Sequence, residues 1–399
     1  MGNVMGQGTI LMNSKQKQQN IIVYREELLP YSQTYIFNQM DYLQKYQALY
    51  IGLRPCEGVC INTPRNRTYF AVKNKIQTIF YKFTNWIPSG VLQWCRRQNP
   101  VLVHAHFAED GFVALSLARK LGLPLLTSFH GSDLTLKDAW RGKTSGNLGR
   151  LYSFRRHVLA KHGTAFIVPS RFLQKLAIQQ GFPEKKLYLI RHGIDLSLYN
   201  SSKSTPEYGH ILFVGRLIDL KGLDYLIRAL APLIKTFPQI RLTVVGDGPA
   251  RADWESLARK MLGDKATFLG ARSPAEIRKL LQTAYIFSMP SYTVDSGQTE
   301  TFGMVYIEAQ AMGVPVVAFR TGGVPEVVDH ERSGFLAEEK NYLELSKYIS
   351  ILLSNITLYN KMRIYARKHV EKNFKLSDSV AQLESVYTEI LNIWAGWRY

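Results

Sequence analysis

The sequence predicts an α/β protein built from two doubly wound domains, each with a mostly parallel sheet covered by helices. Short apolar runs typical of strands alternate with amphipathic stretches typical of helices along most of the 399 residues. The alternation stops at residues 200–206, a Ser-, Asn- and Pro-containing segment typical of a linker, and then begins again. We therefore expect a polar, flexible extension over residues 1–20, a first domain over 21–200, a second domain over 201–376 and a final helix over 377–399.

In the first half, strand-like and helix-like segments follow one another in order. The predicted strands are residues 21–24, 101–104, 124–129 and 165–170. The predicted helices are residues 34–46, 111–121 and 172–180. Because parallel strands need long crossover connections, which are usually helices, this order favours a parallel sheet with helices on its faces.

The second half repeats the pattern. Its predicted strands are residues 211–215, 241–246, 266–269, 286–289, 314–319 and 334–336. Its predicted helices are residues 223–235, 274–284 and 304–312, and residues 377–394 read as one long final helix. In open parallel sheets a ligand binds beyond the carboxyl ends of the strands, so we look for functional residues there.

The net charge of +19 is concentrated in the first half of the chain. Residues 1–200 carry 26 Lys and Arg against 10 Asp and Glu, and no carboxylate occurs between Glu57 and Glu109. The basic residues of that window, from Arg65 to Arg97, are interleaved with Phe, Tyr and Trp. Three interpretations stay open: an anionic membrane or acceptor surface, a solvated basic face over an ordinary core, and a nucleic-acid site.

Cysteine content and absent motifs argue against several other classes. Cys56, Cys60 and Cys95 are few, odd in number and without a zinc-type spacing, which favours a reducing compartment. The sequence has no apolar run long enough to span a bilayer, and its first twenty residues lack the apolar core of a signal peptide. No Asp-x-Asp pair occurs, which weakens any mechanism built on a carboxylate-held divalent ion. We therefore expect a protein without a bound metal or cofactor.

Residues 300–308 are the most informative segment for function. Glu300 lies in a polar loop, and Glu308 interrupts an apolar run predicted to be a helix that opens at Phe302-Gly303-Met304. A helix N-terminus offers free N–H groups and a positive dipole end, which together bind phosphate. The pattern predicts a nucleotide-diphosphate-sugar site, with one carboxylate for the sugar and one for the ribose. The alternative is an ordinary helix that carries two glutamates.

Polar groups or glycines follow five predicted strand ends of the second half. They are Arg216 with Lys221, Gly246 with Gly248, residues 270–272, residues 300–303 and Gly322 with Gly323. His130 stands at a strand end of the first half. Each could be structural by itself, but two cations close to a helix N-terminus can together hold a diphosphate without a metal.

Short motifs spread along the chain carry a family resemblance. They are Gly215-Arg216-Leu217 with Lys221-Gly222, Val245-Gly246-Asp247-Gly248-Pro249, Phe268-Leu269-Gly270, Glu300-x7-Glu308, residues 311–317 and Gly322-Gly323-Val324-Pro325-Glu326. Weaker motifs are residues 103–106, 129–133 and 192–195. Together they resemble glycosyltransferase family 4, the retaining, nucleotide-sugar-dependent family of the GT-B fold. Residues 26–34 depart from the Gly-Gly loop of many members and resemble a subgroup that assembles polysaccharides and glycolipids.

The resemblance implies a role for each candidate residue. Two Rossmann-like domains would face each other across a cleft, with the donor in the second, the acceptor in the first and the final helix crossing back to the first. The implied site residues are Arg216, Lys221, Phe302, Gly303 and Met304 for the diphosphate, Glu308 for the ribose, Leu269, Ala271 and Arg272 for the base, His130 and Glu300 as catalytic residues at the sugar, and Ser32, Gln33, Thr34 and His106 for the acceptor.

The residues and the resemblance together predict a retaining hexosyltransferase. It would use a UDP- or GDP-linked sugar and a lipid-linked, glycolipid or saccharide acceptor, in the cytoplasm and peripherally on the inner face of the membrane, with no nucleic-acid partner. The departing phosphate can take the acceptor proton, and Glu300 either positions the sugar or acts as a nucleophile; we favour positioning. The alternatives are a sugar-nucleotide epimerase of the same fold and transfer to a soluble small-molecule acceptor.

Overall fold

The computed structural model describes residues 18–28, 33–55, 63–72, 75–84, 86–144, 146–200 and 205–396. The strands are β1 (Gln19–Leu28), β2 (Tyr46–Pro55), β3 (Thr68–Phe70), β4 (Leu102–His106), β5 (Leu125–Ser128), β6 (Ala165–Val168), β7 (Leu187–Leu189), β8 (His210–Val214), β9 (Arg241–Val245), β10 (Ala266–Phe268), β11 (Ile286–Phe287), β12 (Val316–Phe319) and β13 (Gly334–Ala337). Every neighbouring pair among them is parallel.

Helices connect these strands, as parallel pairing requires. They are α1 (Thr34–Asp41), α2 (Lys75–Phe83), α3 (Ser89–Gln98), α4 (Ala108–Leu121), α5 (Ser132–Thr135), α6 (Asp138–Thr144), α7 (Gly146–His162), α8 (Arg171–Gln179), α9 (Leu223–Leu230), α10 (Arg251–Leu262), α11 (Pro274–Thr283), α12 (Met304–Ala311), α13 (Tyr342–Ser354), α14 (Ile356–Asn373) and α15 (Leu376–Gly396). Local signals explain several ends: α11, for example, begins with a capping box between Ser273 and Glu276 and has Pro at its start.

The first sheet has seven strands in the order β3-β2-β1-β4-β5-β6-β7. Its central strands are buried, as in β4, where all five residues, including His104 and His106, are inaccessible to solvent. One face packs on α3, α4 and α8, and the other packs on α1 and α15. The strand order reverses between β1 and β4, so the carboxyl ends of these two strands flank the crevice where ligands bind in such sheets.

The second sheet has six strands in the order β10-β9-β8-β11-β12-β13. One large apolar core surrounds it and includes residues of α9, α12, α13 and α14. The reversal here falls between β8 and β11, so the loops after these two strands define the corresponding crevice. The predicted fold class, α/β with two Rossmann-like sheets, is confirmed.

Helix α15 is the last element of the chain, yet it packs on the first sheet. Its residues Val380, Leu383 and Tyr387 are buried in the same core as β1 and β4. The chain crosses between the halves where Ile194 N donates to Phe374 O (2.9 Å) and Leu376 N donates to Ile194 O (3.0 Å). The end of the chain therefore ties the second half back to the first.

Strand β2 was not predicted, and the helix predicted over residues 34–46 is shorter than expected. Helix α1 ends at Asp41, and Tyr46 already starts β2. Residues 48–53 are buried throughout, so this segment is an apolar inner strand whose lack of polar alternation hid it from a pattern search. Strands β3 and β7 have three residues each and are too short to give a periodic signal.

Several features of the sequence lie outside the described residues. These are most of the N-terminal extension, Cys56, Cys60 and residues 201–204 of the linker. Cys95 is described and is a buried free thiol of the first core. None of the helices in the described part of the chain is both long and apolar enough to cross a membrane.

Candidate active site

The loop before α12 is packed directly against the loop after β12. Gly323 N donates to Glu300 O at 2.9 Å. A Cβ at Gly322 would lie 1.9 Å from the same oxygen, and one at Gly323 would lie 2.0 Å from Thr301 O. Only glycine allows backbones to approach this closely. The paired glycines therefore hold Glu300 and Thr301 in a fixed position at the carboxyl edge of the second sheet.

Lys221 and Glu300 form an ion pair at this edge. Lys221 Nζ lies 2.5 Å from Glu300 Oε2, and both side chains are largely shielded from solvent. Lys221 ends a short 3-10 turn after β8, and the next residue, Gly222, has φ of 66° and packs where a Cβ would lie 2.1 Å from Pro290 O. The backbone thus directs the ammonium group onto the carboxylate from a neighbouring strand end.

The N-terminus of α12 lies beside this ion pair. Gly303 has φ of 82°, and a Cβ there would lie 2.4 Å from the Tyr306 ring and 3.5 Å from Glu300 Cδ. No side chain caps the helix, and Tyr306 N donates to Gly303 O at 3.1 Å, so the N–H groups of Met304 and Val305 are those that an anion can meet. Phe302, the residue before Gly303, is buried, whereas Met304 lines a cavity.

That cavity has a volume of about 590 Å³ and lies between the facing edges of the two sheets. Its walls include Arg216 after β8, Arg272 after β10 and Glu308 on α12, together with Thr34 and Tyr35 of α1. The volume is in the range that encloses nucleotide-sized ligands. We call it the donor cavity.

Glu308 is a partly buried carboxylate of the donor cavity, which Asp195 and Asp247 also line. It accepts a hydrogen bond from Tyr199 and is attracted by Arg278. Burial raises the pKa of Glu308 above that of an ordinary glutamate, and these two neighbours oppose the rise. Arg278 also lies over the Tyr199 ring, 5.8 Å from its centroid. The cavity therefore contains an oriented hydrogen-bond acceptor of the kind that binds hydroxyl groups.

Four histidine rings stack in a column from the first sheet to the cleft. Ring centroids are 4.2 Å apart for His104 and His106, 5.2 Å for His106 and His130, and 5.7 Å for His130 and His192. His192 meets Phe302 edge-on at 5.3 Å, so the column ends beside the loop before α12. Burial lowers the pKa of all four, to about 3 for His104 and about 4 for His192. The column is therefore uncharged at neutral pH.

Hydrogen bonds orient the inner part of the histidine column. His104 contacts the Tyr387 hydroxyl at 2.7 Å and the Ser128 hydroxyl at 2.8 Å, and His106 Nδ1 lies 3.0 Å from His130 Nε2. Two buried nitrogens, His106 Nε2 and His130 Nδ1, have no hydrogen-bond partner among the described residues. Both nitrogens are shielded from solvent, and unpaired buried nitrogens are unfavourable, so a ligand hydroxyl would reach His130 Nδ1 only after the side chains around it move.

The loop after β5 is held by Asp133 and reaches across the cleft. The Asp133 carboxylate accepts hydrogen bonds from the N–H groups of His130 (3.1 Å), Gly131 (2.7 Å) and Ala108 (3.2 Å). The Thr301 hydroxyl donates to His130 O at 3.0 Å, and a Cβ at Gly131 would lie 2.7 Å from that hydroxyl. The catalytic candidates His130 and Glu300 thus belong to loops in direct contact.

Other contacts close the cleft on both sides. The Glu326 carboxylate accepts hydrogen bonds from the N–H groups of Arg171 and Phe172, each at 2.9 Å, at the N-terminus of α8. Lys137 N donates to Ser296 O at 2.9 Å. These contacts join the halves around the site.

The predicted acceptor residues are dispersed. Ser32 lies outside the described residues. Gln33 accepts a hydrogen bond from Arg25 at 3.2 Å, and Thr34 lines the donor cavity. His106 is fully buried inside the histidine column. A ligand cannot reach it in this arrangement, so we correct the expected acceptor contact to a supporting role behind His130.

The predicted donor residues are grouped more closely. Arg216, Ala271, Arg272 and Met304 line the donor cavity with Glu308, as expected from their strand-end positions. Leu269 instead packs against the core of the second half, so its side chain supports the cavity wall from behind.

Three aromatic or basic residues of the site were missed in the sequence. Tyr35 lies 5.2 Å from the ring of His130 and 4.9 Å from that of His192, and Tyr199 and Arg278 surround the carboxylate of the donor cavity. Tyr199 stands next to the predicted linker, which could have marked it as a cleft residue. Arg278 lies in an amphipathic helix, where one more basic residue gives no signal.

The described residues contain no group of three or more His, Cys, Asp or Glu side chains arranged to hold a metal ion. The positive groups at the donor cavity include Arg216, Arg272 and Arg278 in its walls, with Lys221 and the N-terminus of α12 beside it.

Two parallel-sheet Rossmann-like halves facing across a cleft define the GT-B class of glycosyltransferases. Residues 200–369 match the family described as Glycosyl transferases group 1, and residues 60–198 match that described as Glycosyltransferase Family 4. The chain therefore belongs to the GT-B glycosyltransferases of the family 4 type, and the resemblance seen in its motifs is confirmed.

Two proteins of similar sequence have names that state an activity. The N-acetyl-alpha-D-glucosaminyl L-malate synthase of Bacillus anthracis is 25% identical over 318 residues, 76% of this chain and 79% of the relative. The amylovoran biosynthesis glycosyltransferase AmsK of Erwinia amylovora is 28% identical over 296 residues, 70% of this chain and 68% of the relative.

Solved structures share the fold over nearly the whole chain. Anabaena Alr3699/HepE in complex with UDP-glucose has a TM-score of 0.73 and 19% identity, and the match covers 93% of this chain and all of that chain. A glycosyltransferase from Rickettsia africae ESF-5 has a TM-score of 0.72 and 19% identity over 94% of this chain and 99% of that chain. At this identity the likeness concerns the fold.

Proposed function

We propose that this glycosyltransferase moves a hexosyl group, with retention of configuration, from a UDP- or GDP-linked sugar to a lipid-linked, glycolipid or saccharide acceptor. The observation that carries the proposal is the Lys221–Glu300 ion pair beside the N-terminus of α12, in a loop that contacts the His130 loop. The presence of UDP-glucose in the related Anabaena fold supports a nucleotide sugar as the donor.

The nucleoside would occupy the donor cavity. Glu308, oriented by Tyr199, would accept hydrogen bonds from the ribose hydroxyls. Ala271 and Arg272 would border the base. Arg216, in the same wall, would meet the diphosphate. In this pose the sugar extends past α12 towards the loop of His130, whose carbonyl accepts a hydrogen bond from Thr301.

The reaction would be driven by stabilisation of the leaving diphosphate. The bond between the sugar carbon and the phosphate oxygen breaks with its electron pair on the oxygen, so negative charge grows there and positive charge grows on the ring. Lys221, Arg216 and the N–H groups of α12 would interact more strongly with the diphosphate as this charge develops, which is the condition for acceleration. The acceptor oxygen would attack from the same face, and its proton would pass to the departing phosphate.

Glu300 would position the sugar rather than attack it. Its carboxylate is already engaged by the Lys221 ammonium and is held by the glycine contacts at its own backbone. A carboxylate that is paired in this way is a good, fixed acceptor for sugar hydroxyls, and it is a weaker nucleophile than a free one.

We further propose that the transfer requires neither a divalent metal nor a cofactor. Two cations and one helix N-terminus supply the positive groups that a metal would otherwise supply to a diphosphate. In the cell the enzyme would work in the cytoplasm, peripherally on the inner face of the membrane, which suits a lipid-linked acceptor.

A panel of UDP- and GDP-sugars tests this function through the release of free nucleotide. We expect free nucleotide to be released from either the UDP-sugars or the GDP-sugars. An acceptor should stimulate this release, and Lys221→Ala should strongly reduce it. An epimerase of the same fold would convert the sugar without consuming the donor. Two results would contradict the proposal. One is a wild type that releases nucleotide from none of the sugars, and the other is a Lys221→Ala variant that releases it as fast as the wild type.

A further inference from the structure

A second cavity, of about 560 Å³, lies at the carboxyl edge of the first sheet. Arg216 lines both this cavity and the donor cavity, so the two spaces meet at one side chain. Gln298 also reaches it from the second half. A molecule bound here would therefore lie next to the donor diphosphate, where the acceptor of the proposed reaction must be. We call it the acceptor cavity.

The inner part of this acceptor cavity is rich in carboxylates. Asp110 accepts from Arg25 and from Glu26 N (2.9 Å), and Glu109 accepts from Arg141 at 2.8 Å. Each carboxylate has further lone pairs, because it can accept about four hydrogen bonds. Fixed carboxylates of this kind suit the hydroxyl groups of a sugar.

The outer part of the acceptor cavity carries cations. Lys82 bonds to Glu26, and Arg54 lies 3.1 Å from Glu27. Side-chain exposure is 6% for Asp110, 17% for Lys82, 23% for Glu26, 27% for Glu27 and 46% for Arg54, so both ion pairs lie outside Asp110 and the arginine is at the rim. Arg and Lys at a cavity mouth are the side chains that bind phosphate.

Beyond this rim lies an exposed apolar surface. Six of the seventeen exposed large hydrophobic side chains in the described residues fall between positions 70 and 86. They are Phe70, Ile76, Ile79, Phe80, Phe83 and Trp86, which we call the apolar face. Positions 76, 79, 80 and 83 follow helical spacing and form one stripe along α2.

The apolar face is continuous with the cationic rim. Lys82 belongs to α2 itself, one residue before Phe83. On the other side, Phe70 pairs with Gly52 across β2 and β3, and a Cβ at Gly52 would lie 3.3 Å from its ring, so the ring lies two residues along β2 from Arg54. From the inside outwards, the side chains change from carboxylates that can accept hydrogen bonds from hydroxyl groups, through ion-paired Lys and Arg, to hydrocarbon.

We propose that this surface binds a membrane-embedded acceptor in which a saccharide is joined through phosphate to a hydrocarbon chain. The sugar enters the acceptor cavity, the phosphate lies between Lys82 and Arg54, and the apolar face of α2 inserts into the bilayer around the hydrocarbon. This inference rests on the proposed function, and it narrows the acceptor to one class.

The basic residues between Arg65 and Arg97 do not all lie on the proposed surface. Arg96 lies at the opposite edge of the sheet, where it lines a separate cavity with Val101, at the start of β4, and with Trp394 of α15. The window from Arg65 to Arg97 is thus not a single face, and only its part near α2 belongs to the proposed surface.

Vesicle flotation with the full chain tests the inference without any nucleotide sugar. Three vesicle types are compared: phosphatidylcholine alone, phosphatidylcholine with phosphatidylglycerol, and phosphatidylcholine with a polyprenyl phosphate at matched charge. The wild type should bind the third best and the first least. Because burying an isoleucine side chain is strongly favourable, I79E should reduce the bound fraction about tenfold or more.

The matched control is I364E, which changes a similarly exposed isoleucine on α14, remote from the surface. It should bind like the wild type. F80S provides a second variant of the apolar face, and the double variant R54Q/K82Q should lose the preference for polyprenyl phosphate over phosphatidylglycerol.

Equal flotation of I79E, F80S and the wild type, or no flotation with any vesicle, would overturn the inference. Equal binding to both anionic vesicle types would overturn the phosphate site. Nucleotide release with a soluble acceptor is measured separately, so a failure here is distinct from a failure of the proposed function.

Discussion

The donor cavity and the acceptor cavity meet at Arg216 but are built in different ways. The donor side comes from loops after strands of one sheet, held by glycines whose backbones touch, such as Gly323 against Thr301 O. The acceptor side comes from side-chain ion pairs, such as Lys82–Glu26 and Arg54–Glu27, on elements far apart in the chain. Backbone packing leaves little freedom to vary, whereas paired side chains can be exchanged. Under the proposed function, we therefore expect substitutions to be tolerated less well on the donor side than on the acceptor side.

Removal of the Lys221 ammonium should have the largest effect on the donor side. Lys221→Ala removes a cation that meets developing charge, so the transfer rate should fall about 10²- to 10³-fold. Steady-state nucleotide release measures this. Lys235→Ala, at an exposed lysine of the same half, should match the wild type. A small loss at position 221, no larger than that of the control, would undo the assignment of the leaving-group site.

The glycine contacts provide the next test. In Gly323→Ala the new Cβ overlaps Thr301 O, so the loop with Glu300 must move. Misplacement of a positioning group by about 1 Å can reduce turnover about 10²-fold. Gly396→Ala is the control, since nothing lies within 4 Å of a Cβ there. If both variants turn over equally, backbone packing does not define the donor side.

Glu308→Gln should weaken nucleotide binding about tenfold, because a hydrogen bond to a charged group is replaced by a neutral one. The wild type should also lose affinity as the pH falls, since protonation removes the acceptor. This loss should begin at a higher pH than for an ordinary glutamate, because burial raises the pKa of Glu308. Titration calorimetry across pH measures both effects. The ribose contact would be contradicted if the nucleotide affinity of the wild type did not change with pH. It would also be contradicted if Glu308→Gln bound nucleotide as tightly as the wild type.

The smallest expected effect is that of a chelator. If Arg216, Lys221 and the N-terminus of α12 neutralise the diphosphate, excess chelator should leave nucleotide release unchanged. Complete loss of activity that magnesium or manganese restores would contradict metal independence.

Sequence reasoning predicted that Lys221, Glu300 and the start of α12 lie together because the signals are local, and their donor role stays a prediction. Glu300, Gly303 and Glu308 lie within nine residues, and Lys221 follows a strand by a short turn, so spacing alone brings them to one edge. The alternation of strands and helices likewise predicted all six strands of the second sheet and four of the seven strands of the first.

The acceptor side gave no such signal. Arg54 ends a strand whose burial on both faces removed the alternating pattern, and its partners Glu27 and Lys82 are distant in sequence. His106 looked like an accessible strand-end histidine, but it is covered by His130 and His104, which only the packed rings reveal. Side-chain assembly across elements, unlike strand-end chemistry, depends on the three-dimensional packing.

Titration calorimetry of the full chain with a panel of UDP- and GDP-sugars shows whether the donor cavity binds a nucleotide sugar. The wild type, Glu308→Ala and R54Q/K82Q are titrated in parallel. We expect the wild type to bind either UDP-sugars or GDP-sugars and Glu308→Ala to lose most of this affinity. We expect R54Q/K82Q to bind the same nucleotide sugar as tightly as the wild type. Binding of no nucleotide sugar, or undiminished binding by Glu308→Ala, would contradict it.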